Sequence, residues 1–233
     1  MSAPTMISRL PALDDIRPPS VTDQVFDVLY DRVVKLGLPP GEKLSEAEVA
    51  SQLGVSRQPV RDAFFRLSQL GFLMIRPQRA TTVSPISEDA VRQAHFIRSA
   101  LEADGMRRAA AVLTAAALDD LDALIDQQTA AVAADDHAEF HRLDDAFHKA
   151  ICDRAGLDFV WTLVKENKGH MDRARYLSLI FGGPRAIEDH RLIMAALRAR
   201  DGDAAEAALR AHLGRIEDIL HRIRRDRPEL FQG

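Results

Sequence analysis

Apolar positions recur every three to four residues along most of this chain, the spacing that lines one face of a helix. Val25, Leu29, Val33 and Leu36 form the first such stripe, which stops at Gly37 before a Pro39-Pro40-Gly41 turn. Ser45-Glu46-Ala47-Glu48 reads as a capping box, in which Ser45 and Glu48 satisfy each other's backbone N–H groups, and the helix it opens ends near Gly54. Ser56 caps a third helix, with Pro59 in its first turn, Val60, Phe64 and Leu67 facing inward, and Gly71 at its end. Phe72–Ile75 and Ala80–Val83 read as two strands joined by Pro77-Gln78-Arg79. From Ser87 onward, where Ser87 can cap the next helix, only the 3.6-residue period remains. The pattern predicts a mainly α chain: a winged helix-turn-helix of three helices and a small β-hairpin, then an all-α bundle. Its expected divisions are a flexible N-terminal arm over 1–19, the winged unit over 20–84 and the bundle over 85–229, with Pro85 breaking the strand between the last two.

Composition narrows the setting. Hydrophobic residues at 46% and charged residues at 28% suit a folded globular chain and not a disordered one. A single cysteine, Cys152, allows no internal disulfide and fits a reducing compartment. No apolar run approaches a membrane span, and residues 1–19 lack the apolar stretch of a signal peptide. A cytoplasmic protein without a membrane partner is expected. The net charge of −4 is unevenly spread: residues 1–84 carry +1 and residues 85–233 carry −5. Within 54–76, Arg57, Arg61, Arg66 and Arg76 face Asp62 alone, a local +3 that favours one anionic contact on an acidic molecule.

Two helices joined by a short turn present the second to a major groove, with its N-terminal residues on base edges. Here the turn is Leu53-Gly54-Val55 and the second helix begins Ser56-Arg57-Gln58-Pro59-Val60-Arg61. Arg57 and Arg61 share a face; arginine suits guanine O6 and N7, and Gln58 can read adenine. Ser56 and the helix N-terminus can hold a phosphate. The alternative is a solvated face with Arg61 paired to an acidic neighbour. The run PPGEKLSEAEVASQLGVSRQPVRDAFFRLSQLGFL resembles the N-terminal domain of GntR-family bacterial transcription regulators over about residues 20–84. The resemblance implies that Arg57 and Arg61 contact bases or phosphates and that the hairpin tip, with Arg79, approaches the minor groove. It departs from the family at Ala80, where glycine is common after the basic residue.

In the second half, polar residues fall on apolar stripes. Asp144 and His148 lie with Phe140, Phe147 and Ile151; His190 with Ile193, Met194 and Leu197; His212 with Leu209, Leu213, Ile216 and Ile223 in one last helix. Buried without partners, each would cost about 1–3 kcal/mol, and one shared metal satisfies all four. Asp144 and His148, at i and i+4, can point two ligands at one ion. One carboxylate and three imidazoles suit a divalent transition metal: Zn, Ni, Mn or Fe. The alternative is an Asp144–His148 pair with two separately satisfied core histidines. His137 and His141 sit at the stripe edge and are expected to be solvated. Cys152 is either a soft ligand or a small core residue. Asn167, on the stripe of Val160, Val164, Met171 and Ala174, is a pocket-lining candidate, with His170 beside it.

LDDAFHKAI and EDHRLIMAALRARDGDAAEAALRAHL resemble the FCD effector domain of the FadR-type GntR subfamily, over about residues 87–227. The resemblance implies that Asp144, His148, His190 and His212 occupy that module's metal-ligand positions. It also implies a small organic acid held through its carboxylate. Arg98, in IRSALEA, matches an arginine that often faces the cavity there; the alternative is a surface pair with Glu102. Taken together, the expected function is a ligand-responsive regulator, more a repressor than an activator. It would bind a palindromic double-stranded DNA operator as a homodimer. Two other readings compete: a metal-dependent hydrolase using the Asp/His3 set, and an architectural DNA protein without a sensor.

Overall fold

Caps and left-handed turns set the limits of the first helices. The computed structural model describes residues 19–76 and 79–231, without the side chains of 179–182. The expected N-terminal arm up to residue 18, and the hairpin-tip residues Pro77 and Gln78, lie outside the described residues. The chain divides into two compact units: residues through Asp31 with Lys43–Thr82, and Arg32–Glu42 with Val83 onward.

In the first unit, helix α1 (Val21–Val34) precedes α2 (Glu46–Leu53) and α3 (Arg57–Gln69). Ser45 caps α2 by accepting from the Glu48 backbone N–H, one half of the expected capping box, while the Glu48 carboxylate accepts from Gln52 Nε2. Gly54 ends α2 at φ 66°, a left-handed conformation that a Cβ would strain. That turn lets α3 depart at an angle and pack on α2, with Val60, Ala63, Phe64 and Leu67 buried beneath it. Phe26 stacks on Tyr30, and Tyr30 meets Phe72 edge-on with ring centroids 5.3 Å apart. Strands β2 (Leu73–Met74) and β3 (Thr81–Val83) form the expected hairpin, but β1 (Lys43–Leu44) adds a third strand. The order is β1-β3-β2, with Lys43 opposite Thr82 and Leu44 opposite Thr81. Two residues are too few to show alternation, so β1 leaves no periodic signal.

The second unit is helical: α4 (Glu88–Val112), α5 (Ala115–Ala133), α6 (His137–Arg154), α7 (Asp158–Asn167), α8 (Gly169–Arg198), α9 (Gly202–Gly214) and α10 (Ile216–Asp226), with a 3₁₀ turn at Pro228–Leu230. Ser87, Thr114, Asp136 and Asp201 each accept a backbone N–H at a helix start. The single last helix read from the His212 stripe is two helices that meet at Arg215. Helices α4, α8 and α9 pack on one another, and α5 packs on α6 and α8. A Cβ on Gly202 would lie 3.2 Å from the Arg107 Cα, so glycine lets the start of α9 approach α4. Val91, Met106, Phe147, Ile193, Leu197 and Leu209 lie in the shared core. Ile86 bridges Phe231 in parallel and donates its N–H to Leu230 O at 2.8 Å, clasping the C-terminal segment to the start of the bundle.

Candidate functional site

Helix α6 brings Asp144 and His148 one turn apart into the bundle interior; α8 supplies His190 and α9 supplies His212. One ligand atom from each lies within 4.8 Å of the other three. Asp144, His148 and His190 are fully buried and His212 nearly so. An acceptor oxygen lies behind each imidazole, in hydrogen-bond geometry for His190 alone. Glu102 Oε2 lies 2.8 Å from His148 Nδ1, Gln128 Oε1 lies 2.7 Å from His190 Nδ1, and Asp189 Oδ2 lies 3.5 Å from His212 Nδ1. The Gln128 amide donates to Leu143 O at 3.1 Å, so its carbonyl oxygen is the atom that faces His190. His190 therefore carries its proton on Nδ1 and keeps a lone pair on Nε2.

That lone pair points at a second acceptor. His190 Nε2 and Asp144 Oδ1 are 3.5 Å apart, both buried, and neither has a hydrogen-bond partner; His148 Nε2 is also unpartnered. Burial alone would raise the Asp144 carboxyl, but the Arg175 guanidinium and the surrounding imidazoles outweigh it and hold the group well below the usual carboxylate range. Burial, then the neighbouring His212, pushes His190 well below the ordinary imidazole range. A cation between the two atoms would resolve the clash. A nitrogen-rich donor set fits a transition metal, and Asp144, His148, His190 and His212 are the residues that would hold it.

A cavity of about 390 Å³ opens beside these ligands. Asp144, His212, Arg98 and Arg175 line its polar side, while Phe140, Met171 and Ile216 supply apolar wall. Arg175 donates to Asp144 Oδ2 and to Asp172 Oδ1. Arg98 lines the cavity and pairs with Glu102, Nε to Oε1 at 2.5 Å, but the pair is buried and is not the surface pair given as its alternative. Its Nη2 is buried without a partner. Burial opposes ionisation of Glu102, yet Arg98 and His148 bring it down to about 2.

Two sequence expectations fail, those for Asn167 and His141. Asn167 is exposed, lies outside the cavity and donates to Leu163 O, because α7 ends there. His141 is buried and not solvated: it stacks on Tyr176, and burial followed by the charge of Arg175 pushes it down to about 4. Cys152 packs with Val160, Trp161 and Val164, and burial raises its thiol to about 12, so it is the small core residue and no ligand. His137 keeps its partly exposed place beside Asp135. Glu102, Gln128, Arg175 and Asp189 were missed, since none shares a stripe with the residue it supports.

On the first unit, α3 leaves Ser56, Arg57, Gln58 and Arg61 exposed. The Ser56 hydroxyl makes no cap hydrogen bond. Arg61 meets Glu46 at 3.1 Å, the acidic neighbour foreseen as its alternative partner, and Gln58 donates to Asp62 at 2.8 Å. Both are exposed pairs, which are worth little and exchange readily. Arg79 is exposed next to the hairpin tip.

Comparison with known proteins agrees in both units. The FCD domain matches residues 93–215, and the gntR family of bacterial regulatory proteins matches residues 21–83. The HTH-type transcriptional repressor RspR of Escherichia coli K12 is 37% identical over 213 residues, covering 91% of this chain and 93% of RspR. A probable D-xylose utilization operon transcriptional repressor of Paenarthrobacter nicotinovorans is 31% identical, covering 83% of this chain and 86% of its own length. Among solved structures, E. coli McbR/YncC superposes with a TM-score of 0.71 at 26% identity, covering 87% of this chain and 98% of that one. These relatives are transcription regulators, which sets aside the hydrolase alternative. Among the described residues, no helix is long and apolar enough to cross a membrane.

Proposed function

The chain belongs to the GntR family of bacterial regulatory proteins and carries an FCD domain, and on that premise we propose that it senses a small organic acid through a divalent metal at Asp144, His148, His190 and His212. It is a DNA-binding transcription regulator and not an enzyme. In our reading it binds a palindromic operator as a homodimer, with Arg57, Gln58 and Arg61 on base edges, Ser56 on a phosphate and Arg79 at the minor groove. The effector relieves repression. The metal, when bound, supplies positive charge and an open position for a carboxylate oxygen. Arg98, with its unpartnered Nη2, orients the other carboxylate oxygen. Asn167 has no part in this reading.

One observation carries it: two buried atoms, His190 Nε2 and Asp144 Oδ1, lie 3.5 Å apart and neither has a hydrogen-bond partner. Elemental analysis of untagged protein purified without chelators tests it. Wild type should hold about one transition metal per chain, and His190→Ala should lose it while still binding DNA. Protein that stays metal-free after incubation with zinc, nickel, manganese or iron would overturn the reading.

A further inference from the structure

Helix α8 turns one face to the cavity and the opposite face to the segment that leads into the bundle. Met171, Arg175 and Ser178, at i, i+4 and i+7, line the cavity; Arg173 sits about 200° around the helix from Met171 and is not among the lining residues. Arg173 is fully buried and donates from Nη2 to Ser84 O at 2.9 Å. Burial brings its guanidinium down to about 10, so it is charged at neutral pH and this hydrogen bond is of the stronger, charge-assisted kind. Helix α10 has a similar division. Ile216, Ile219 and Arg222 line the cavity, while Arg224 meets Glu88 at 2.6 Å and stands over the Phe231 ring. Leu230 and Phe231 are buried, and Leu230 O accepts the Ile86 N–H. Ser84 and Ile86 are therefore gripped from α8 and from the C-terminal segment, on either side of Pro85, which has no N–H of its own. One residue earlier, the Val83 N–H donates to Glu42 O and the Val83 carbonyl accepts from the Gly41 N–H, both at 2.9 Å. Two of the points at which the chain passes between its compact units, after Glu42 and after Thr82, adjoin these gripped residues.

We propose that Arg173 is a positioning residue of the regulator, and that with the clasp at Leu230 and Phe231 it carries the state of the cavity to the junction at residues 83–86. The inference rests on the sensing reading above. The two helices that wall the cavity are the two whose far sides hold the junction. A packed helix moves as a rigid element, so a displacement on one face reaches the other. A change in the partners of Arg175 shifts the turn of α8 that carries Arg173, and with it the anchor of Ser84 O. A change at Ile216 or Ile219 reaches Phe231, and so Ile86, through α10 and Arg224. Both grips hold backbone atoms, so what they fix is the path of the chain as it leaves the winged unit.

Zinc alone is the probe, and hydrogen exchange of the full chain, read by mass spectrometry, is the first measurement. In wild type, zinc should slow exchange over residues 83–91 by about fivefold or more. Arg173→Met fills similar space without the donor. It should keep its zinc affinity and still slow over residues 140–151 when zinc binds, yet show no zinc effect over 83–91. Arg224→Gln, at an exposed position, should weaken the same response by loosening Phe231, even if Arg173→Met fails to fold. On a duplex selected by wild type from random double-stranded DNA, zinc should change wild-type affinity by about fivefold or more and that of Arg173→Met by less than about twofold. Zinc that binds wild type but leaves its exchange over 83–91 or its DNA affinity unchanged overturns the proposal and leaves the metal reading standing. Folded variants that respond like wild type do the same. Wild type that takes up no zinc overturns both.

Discussion

Replacing Gln128 with leucine isolates the part of the site that sets the His190 tautomer. The side chain is fully buried and makes two hydrogen bonds, to His190 Nδ1 and to Leu143 O. Leu143 O lies inside α6 and keeps its helical partner, so the cost falls on His190 Nδ1. An orphaned buried donor costs about 1–3 kcal/mol, which is the expected destabilisation of metal-free protein. The freed ring can also carry its proton on the nitrogen that should face the metal. Outer-shell partners of this kind are worth about 10- to 100-fold in metal affinity, or about 1.4–2.7 kcal/mol. Under saturating zinc the two losses add, so the loaded protein should lose about 2–6 kcal/mol. Urea unfolding with and without zinc, and competition against a chromophoric chelator, measure the two separately. Gln128→Glu keeps an acceptor and should stay within several-fold of wild type. A folded leucine variant that binds zinc within twofold of wild type, and loses equal stability in both states, would refute the tautomer argument.

Three further outcomes are expected. Arg57→Ala should cost about 1–3 kcal/mol of operator binding if the side chain reads a guanine, with little change in non-specific binding; gel shifts on both kinds of DNA would check it. His141, lowered to about 4, contributes stability that is fully present above the unfolded value near 6.5 and is lost as pH falls toward 4, about 3 kcal/mol in all. His141→Phe, which keeps the stack on Tyr176, should flatten unfolding free energy between pH 6.5 and 4.5 relative to wild type. Metal and a small carboxylate should tighten each other's binding by equal factors, measured by calorimetry with either added first; independent binding would place the acid elsewhere.

The four ligand candidates were legible because a helix converts spacing into direction. Asp144 and His148 had to share a face, and an inward face carrying Phe147 and Ile151 had to bury them. Their supports were illegible for the same reason. Gln128 sits in DALIDQQTAAV, where nothing separates an inward glutamine from a solvated one, and Arg175 and Glu102 reach the ligands across helix interfaces. Periodicity also misleads where a helix stops. Asn167 lies seven residues beyond Val160 and would share its stripe in a continuous helix, but α7 ends there and the side chain folds back on Leu163. The His212 stripe ran through Ile223 in sequence although the chain breaks at Arg215, because the break falls where either phase keeps apolar residues inside. His141 looked marginal on its own helix and is buried by Tyr176 from another.

Charge ties the cavity to the ligands through two short chains. One runs from Arg98 through Glu102 to His148, the other from Arg175 directly to Asp144. Both begin at a guanidinium on the cavity wall and end at a ligand residue. Arg175 shares itself among Asp144, Asp145 and Asp172, so it is saturated with carboxylates while Asp144 turns an oxygen toward it. In the proposed reading, a metal held by Asp144 would make that oxygen a weaker acceptor, and Arg175 would take an incoming carboxylate in its place. Arg98 needs no such release, since its Nη2 is already unpartnered. In the proposed reading the two arginines would differ in role despite lining one cavity: Arg98 would meet an anion directly, and Arg175 only in exchange for Asp144. Breaking a buried pair by removing one partner costs about 3–5 kcal/mol, so in the proposed reading an incoming acid has to replace the carboxylate it displaces from Arg175.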